Sequence, residues 1–156
     1  MSSKDGTDSD GGGSADSSAT TLRAFDAPVL PDWVLFHVPH DSIFIPPPER
    51  RRFLLNDAEL NVELLRMTDH WTFDLFAHGI PKERVLHSPV SRLVVDVERF
   101  EDDAMEELAT RGMGAVYQCT YDGKQLRPPL QYRQREELMN TWYHPHHRRL
   151  AEATQR

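Results

Sequence analysis

One stretch, Ser91-Arg92-Leu93-Val94-Val95-Asp96-Val97-Glu98-Arg99-Phe100, constrains this chain more than any other. The apolar run Leu93 to Val95, resumed at Val97, reads as a strand buried on both faces, as in a parallel sheet. Such a strand carries charge only where its ends reach a site. Arg92 marks one end, and Asp96, Glu98 and Arg99 crowd the other. Open α/β sheets bind ligands at the carboxyl ends of their strands, which makes that end a candidate site. Structural ion pairs with neighbouring elements would account for the same charges.

The 156 residues suffice for one domain with its own core. A formal charge of −7 argues against a nucleic-acid partner. No apolar run approaches the ~20 residues of a membrane span, and no apolar signal core opens the chain. The single cysteine, Cys119, suits a reducing cytoplasm and excludes an internal disulfide. It falls in an expected strand over 115–120, where a buried, inert thiol is expected rather than a nucleophile. Residues 1–28, rich in Ser, Gly, Asp and Thr, read as a disordered leader, leaving 29–156 as the domain.

Val34 to Val38 has strand composition and is stopped by Pro39. His40 would follow in a loop, where function tends to reside, although a lone loop histidine is also an ordinary polar residue. A helix is expected over 57–78, capped by Asn56 or Asp57. Leu60, Leu64, Met67, Trp71 and Leu75 form one apolar stripe on it, and Val62, Leu65, Phe73 and Phe76 a second. Two stripes imply burial between layers, so mid-helix Asp69 and Asp74 would need a cation, a metal or several donors. An arginine partner would satisfy either. Gly79 should end this helix, and Val85-Leu86 begins a βαβ-type return. Residues 102–111 read as a short acidic helix or loop, and 121–124 as an Asp-Gly turn.

A last helix over 130–154 should kink at Pro145. His144, His146 and His147 lack the four-residue spacing of paired helical ligands, so one histidine entering a site from the side is the preferred reading. What remains is a loop histidine, a helix carboxylate and a pair of arginines. That set suits a hydrolytic metal site with an anion-binding wall.

In order and spacing, Pro39-His40-Asp41-Ser42 with Ile45-Pro46, Met67-Thr68-Asp69 with Asp74, Ser91 to Arg99, Asp122-Gly123, and Tyr143 with Pro145 and His147 resemble the N-formylglutamate amidohydrolase family. The resemblance covers about residues 34–152 and implies an α/β fold: a three-layer α/β/α arrangement with a mostly parallel sheet, like the zinc exopeptidases and amidases. It implies zinc-dependent hydrolysis of N-formyl-L-glutamate, or a similar acidic N-acyl amino acid, to formate and glutamate in histidine degradation. His40 and Asp69 would be metal ligands. Arg99, with Arg92 as a second cation, would hold the substrate carboxylate, and Ser42 and His147 would contact substrate. His40, Asp69 and Arg99 form the implied catalytic set. Glu98 stands where many members have Asn, and a carboxylate there would repel a substrate carboxylate.

Members of that family continue with a further strand whose histidine completes the metal site. The expectation for this chain is therefore an incomplete domain lacking C-terminal strands, with self-association through an exposed sheet edge. The alternative to an enzyme is an inactive amidohydrolase-like domain that binds an anion, a metal or a partner chain.

Overall fold

The computed structural model describes residues 30–155, so the expected leader lies outside the described residues. Strand β1 (Phe36–Val38) ends where Pro39 removes the next backbone donor. It pairs in parallel with β2 (Val85–His87), in the register Phe36 to Val85, His37 to Leu86 and Val38 to His87. Helices α1 (Pro47–Arg50), α2 (Asp57–Met67) and α3 (Thr72–Phe76) form the crossover between the two strands, as a βαβ unit requires. The sheet among the described residues is these two strands alone, a small parallel sheet with helices.

Asn56 starts α2 with a reciprocal capping box: its side chain accepts from Glu59 N (3.0 Å), and Glu59 accepts from Asn56 N (2.9 Å). The helix buries Leu60, Glu63 and Met67. Its second stripe faces out: Val62 and Leu65 are exposed, as are Trp71, Leu75 and Phe76 beyond it.

The single long helix over 57–78 does not form. Thr68 is extended, and Trp71 takes a left-handed φ of 66°, a conformation that non-glycine residues rarely adopt. The break is held from outside: Asp69 N donates to His40 O (3.0 Å), and Phe73 N to Asp41 Oδ1 (3.3 Å). Asp69 is therefore a loop residue. Asp74 lies exposed in the first turn of α3, where the helix dipole favours a carboxylate.

The expected strand over 93–97 is buried as predicted, yet it is a succession of turns. Leu93 N bonds Ser91 Oγ (3.3 Å), Val94 N bonds Ser91 O (2.8 Å), and Glu98 N bonds Asp96 Oδ1 (3.0 Å). These local acceptors, two of them side-chain oxygens, satisfy donors that a strand ladder would have used. The strand expected over 115–120 is likewise absent, with only an isolated antiparallel bridge from Cys119 to Gln125. Cys119 is half-buried, not fully enclosed.

A 3₁₀ turn (Glu107–Arg111) is stopped by Gly112 at φ 75°. Helix α4 (Tyr132–Leu138) runs through a π-helical turn (Met139–Tyr143) into α5 (His144–Thr154). Pro145 at the start of α5 lacks an N–H, and the wider turn before it is where the ladder re-registers. Leu138, Met139 and Tyr143 join Leu93, Val94, Val95, Ala115, Tyr117 and Leu126 in the main core, against which the site is built. No helix among the described residues is long and apolar enough to cross a membrane.

Candidate active site around His40 and Asp96

Asp96 is fully buried and is the acceptor on which the site converges. Its Oδ1 lies 2.8 Å from His40 Nε2. Its Oδ2 accepts from Arg92 Nε (3.1 Å) and Nη2 (2.8 Å) and from the Tyr117 hydroxyl (2.7 Å). Arg99 Nε stands 3.5 Å from the same oxygen. Burial alone would raise the Asp96 carboxyl, but the His40 hydrogen bond and the Arg92 charge prevail and hold it well below the usual carboxylate range. Burial and the Asp96 charge push the Tyr117 hydroxyl up to about 12, so it stays a donor.

An ionised Asp96 can only accept, which makes His40 Nε2 the protonated nitrogen. In the neutral ring the Nδ1 lone pair then points outward, where Asp69 Oδ2 and Glu98 Oε2 each lie 3.5 Å away. Carboxylate oxygens facing a lone pair form an electron-rich donor set. Asp69, Asp96, Glu98 and Glu106 stand against the guanidinium groups of Arg92 and Arg99, so negative charge is in excess here. This chemistry fits a divalent cation, with the carboxylate behind the histidine fixing its tautomer as it does in zinc sites. His40, Asp69 and Glu98 are the side chains that could hold one. Among the described residues, no group of three or more His, Cys, Asp or Glu side chains is already arranged as a metal cage.

The candidates from the sequence thus divide. His40, Asp69, Arg92 and Arg99 are brought together. Both arginines are occupied by carboxylates, since Arg99 Nη1 also reaches Glu106 Oε1 (3.2 Å). Their side chains keep 15% and 22% exposure. Ser42 caps its own loop, accepting from Phe44 N (3.2 Å) and donating to Pro89 O (3.3 Å). His147 packs on Tyr143 at 4.2 Å between ring centroids and bonds the carbonyl of Val97 (2.9 Å), the residue before Glu98.

Three participants had no role assigned from the sequence: Asp96 as hub, Tyr117, and His37, which pairs with His146 of the histidine-rich helix start. His37 Nε2 and His146 Nε2 are 2.8 Å apart, and His37 Nδ1 faces Glu98 Oε1 at 3.9 Å. Burial, reinforced by His37 and His147, brings buried His146 down to about 4. Burial also lowers His37, against the pull of Glu98. The local signal for Asp96 was its position, a carboxylate inside an apolar run.

The chain superimposes on the crystal structure of N-formylglutamate amidohydrolase from Ralstonia eutropha JMP134 with a TM-score of 0.65 and 18% identity, covering 78% of this chain and 47% of that one. This is an amidohydrolase fold, and the chain spans about half the length of that relative. The family model described as FGase: N-formylglutamate amidohydrolase matches residues 33–156, and the chain belongs to that family. No significant match was found among curated proteins.

Proposed function

We propose that this chain carries the metal-binding and anion-gripping part of a zinc-dependent amidohydrolase acting on N-formyl-L-glutamate or a similar acidic N-acyl amino acid. The observation behind this reading is His40 itself: one nitrogen is locked by buried Asp96, and the other is turned toward Asp69 and Glu98. His40 and Asp69 would hold zinc, Asp69 being tied to the His40 carbonyl through its own N–H. Bound there, zinc would supply a Lewis acid that polarises the amide carbonyl and acidifies water to a pKa of about 7.

The protein groups supply the rest. Glu98, 3.5 Å from His40 Nδ1, would take the proton of the attacking water and return it to the leaving amine. Water adds to the formyl carbon, the C–N bond breaks, and formate and glutamate leave. Arg99, with Arg92 beside it, would pair with a substrate carboxylate through its remaining guanidinium edge. Asp96, itself bonded by the Tyr117 hydroxyl, would hold Arg92 and His40 in one arrangement with Arg99 beside them.

The test is formate release by the purified chain from N-formyl-L-glutamate, with zinc and with a chelator. Zinc-dependent release, with a raised KM in Arg99→Lys, is expected; release that a chelator leaves untouched would refute the metal reading. A second reading is favoured by the absence of a three-ligand cage among the described residues: a domain that binds an anion or a metal without turnover. Zinc binding with no formate release would select it.

A further inference from the structure

The site rests on a turn, and the turn rests on one distant cation. Arg127 is fully buried. Its Nη2 donates to the carbonyls of Leu93 and Val94, the latter at 3.3 Å. Its guanidinium carbon lies 4.8 Å from the centre of the Phe53 ring. Nε and Nη1 have no hydrogen-bond partner among the described residues. Burial, partly opposed by the Glu49 charge, lowers it to about 10. A guanidinium enclosed without a bonded carboxylate is unfavourable, so an apolar residue would be expected unless the donors are needed.

They are needed at 93–94. Because the segment is a turn and not a strand, no ladder partner meets these two carbonyls, and they face the core. Two residues further on, Asp96 binds His40, Arg92 and Tyr117 through its carboxylate and accepts from Glu98 N. The backbone of Asp96 is fixed on the other side by its N–H to Ala115 O (2.8 Å). The turn is thereby held at both ends, by Arg127 before Asp96 and by Ala115 at it.

We propose that Arg127 is a positioning residue of this site, bracing the Leu93–Val94 turn so that Asp96 meets His40. The inference rests on the reading of the His40 cluster as the working site, but its test does not need turnover. A planar guanidinium places donors along an edge that can span adjacent carbonyls, whereas an ammonium is a point charge. Arg127→Lys keeps the charge and loses that span; Arg127→Met keeps the length and loses every donor.

The readout is the imidazole proton of His40 Nε2 by NMR at neutral pH, together with zinc affinity by calorimetry. In the unaltered protein this proton should be strongly downfield, as expected for a hydrogen bond to an ionised carboxylate. Both Arg127 variants should move it upfield or broaden it by exchange, and weaken zinc binding about tenfold or more, the range seen when partners behind a ligand are lost. Phe53→Leu is the control: it loosens the packing around Arg127 but leaves its carbonyl bonds, so it should lower thermal stability with the His40 resonance in place. An unmoved resonance in both Arg127 variants, or the same shift in Phe53→Leu, would overturn the proposal. So would unfolding of both Arg127 variants, since the residue would then be a general core element. If the unaltered protein binds no zinc, the metal reading fails, and the resonance still decides this one.

Discussion

His40 Nε2 and Asp96 Oδ1, 56 positions apart in sequence, meet at 2.8 Å where both side chains are buried. The contact joins the loop after β1 to the turn that carries both candidate anion-binding arginines. Removing either partner leaves the other enclosed with its hydrogen-bonding capacity unmet, so the pair couples stability to site geometry.

Asp96→Asn tests that coupling. The amide keeps the shape but presents donors where Arg92 and Tyr117 already donate. Arg92 would be left partly buried without its counter-charge, and breaking such a pair costs about 3–5 kcal/mol. Urea unfolding at neutral pH should show a loss of that order. A loss below about 1 kcal/mol would mean that Asp96 is not the hub.

Stability should fall on mild acidification because of His146. Its folded value is about 4, below the ~6.5 of an unfolded histidine, so the unfolded chain binds the extra proton between those values. The unfolded state is then favoured as pH drops through 6.5, and the loss is complete near 4. Integrated over that window the effect is at most about 3 kcal/mol, reduced by whatever solvent reaches the ring, and depressed His37 adds in the same direction. Part of that window lies below pH 5, so unfolding free energies at pH 7.5 and 5 should differ by about 2 kcal/mol or less, and His146→Phe should flatten the dependence. An equally steep fall in that variant would assign the effect elsewhere.

Gly112 bears a separate prediction. Its φ of 75° is unfavourable for a residue with a Cβ, and a Cβ there would meet Cys119 Sγ at 2.7 Å. Gly112→Ala should cost about 2 kcal/mol in thermal or urea unfolding. Adding Cys119→Ala should recover the Sγ clash and leave the conformational part of about 1 kcal/mol together with the remaining Cys119 Cβ and N contacts at 3.1 and 3.3 Å. Full recovery would show that only the clash matters.

The order of elements was legible where local chemistry decides it: Pro39 ends β1, Asn56 caps α2, Gly123 takes the positive φ of its Asp-Gly turn, and Pro145 interrupts the last helix. The burial of Leu93 to Val97 was legible too. Its conformation was not, because the partners that replace a ladder are acceptors on Ser91 and Asp96 and, 33 or 34 positions away, the donors of Arg127. Periodicity cannot register a partner at that range. The break in the helix over 57–78 escaped for the same reason, being pinned by His40 and Asp41 from another loop. That break is what brings Asp69 beside His40: the pairing was expected from the resemblance, but not the loop that makes it. Glu98, read from sequence as a misplaced carboxylate, lies as near to His40 Nδ1 as Asp69 does.

Asp69 and Glu98 stand at equal distances from His40 Nδ1, and the proposed roles separate them. Asp69 is anchored to the His40 backbone and should act mainly as a ligand. Glu98 sits between His40 and His37, with its Oε1 3.9 Å from His37 Nδ1, and should act mainly on protons. Asp69→Asn should therefore weaken zinc binding by at least tenfold, measured by competition with a chromogenic chelator. Glu98→Gln should change zinc affinity by less than about threefold while slowing formate release by about 10²–10⁴, the usual contribution of a positioned acid–base group. Both substitutions are isosteric and remove one negative charge, so a difference between them reports role rather than charge. Equal losses of zinc would make Glu98 a third ligand and move the search for the proton carrier to His37 and His146.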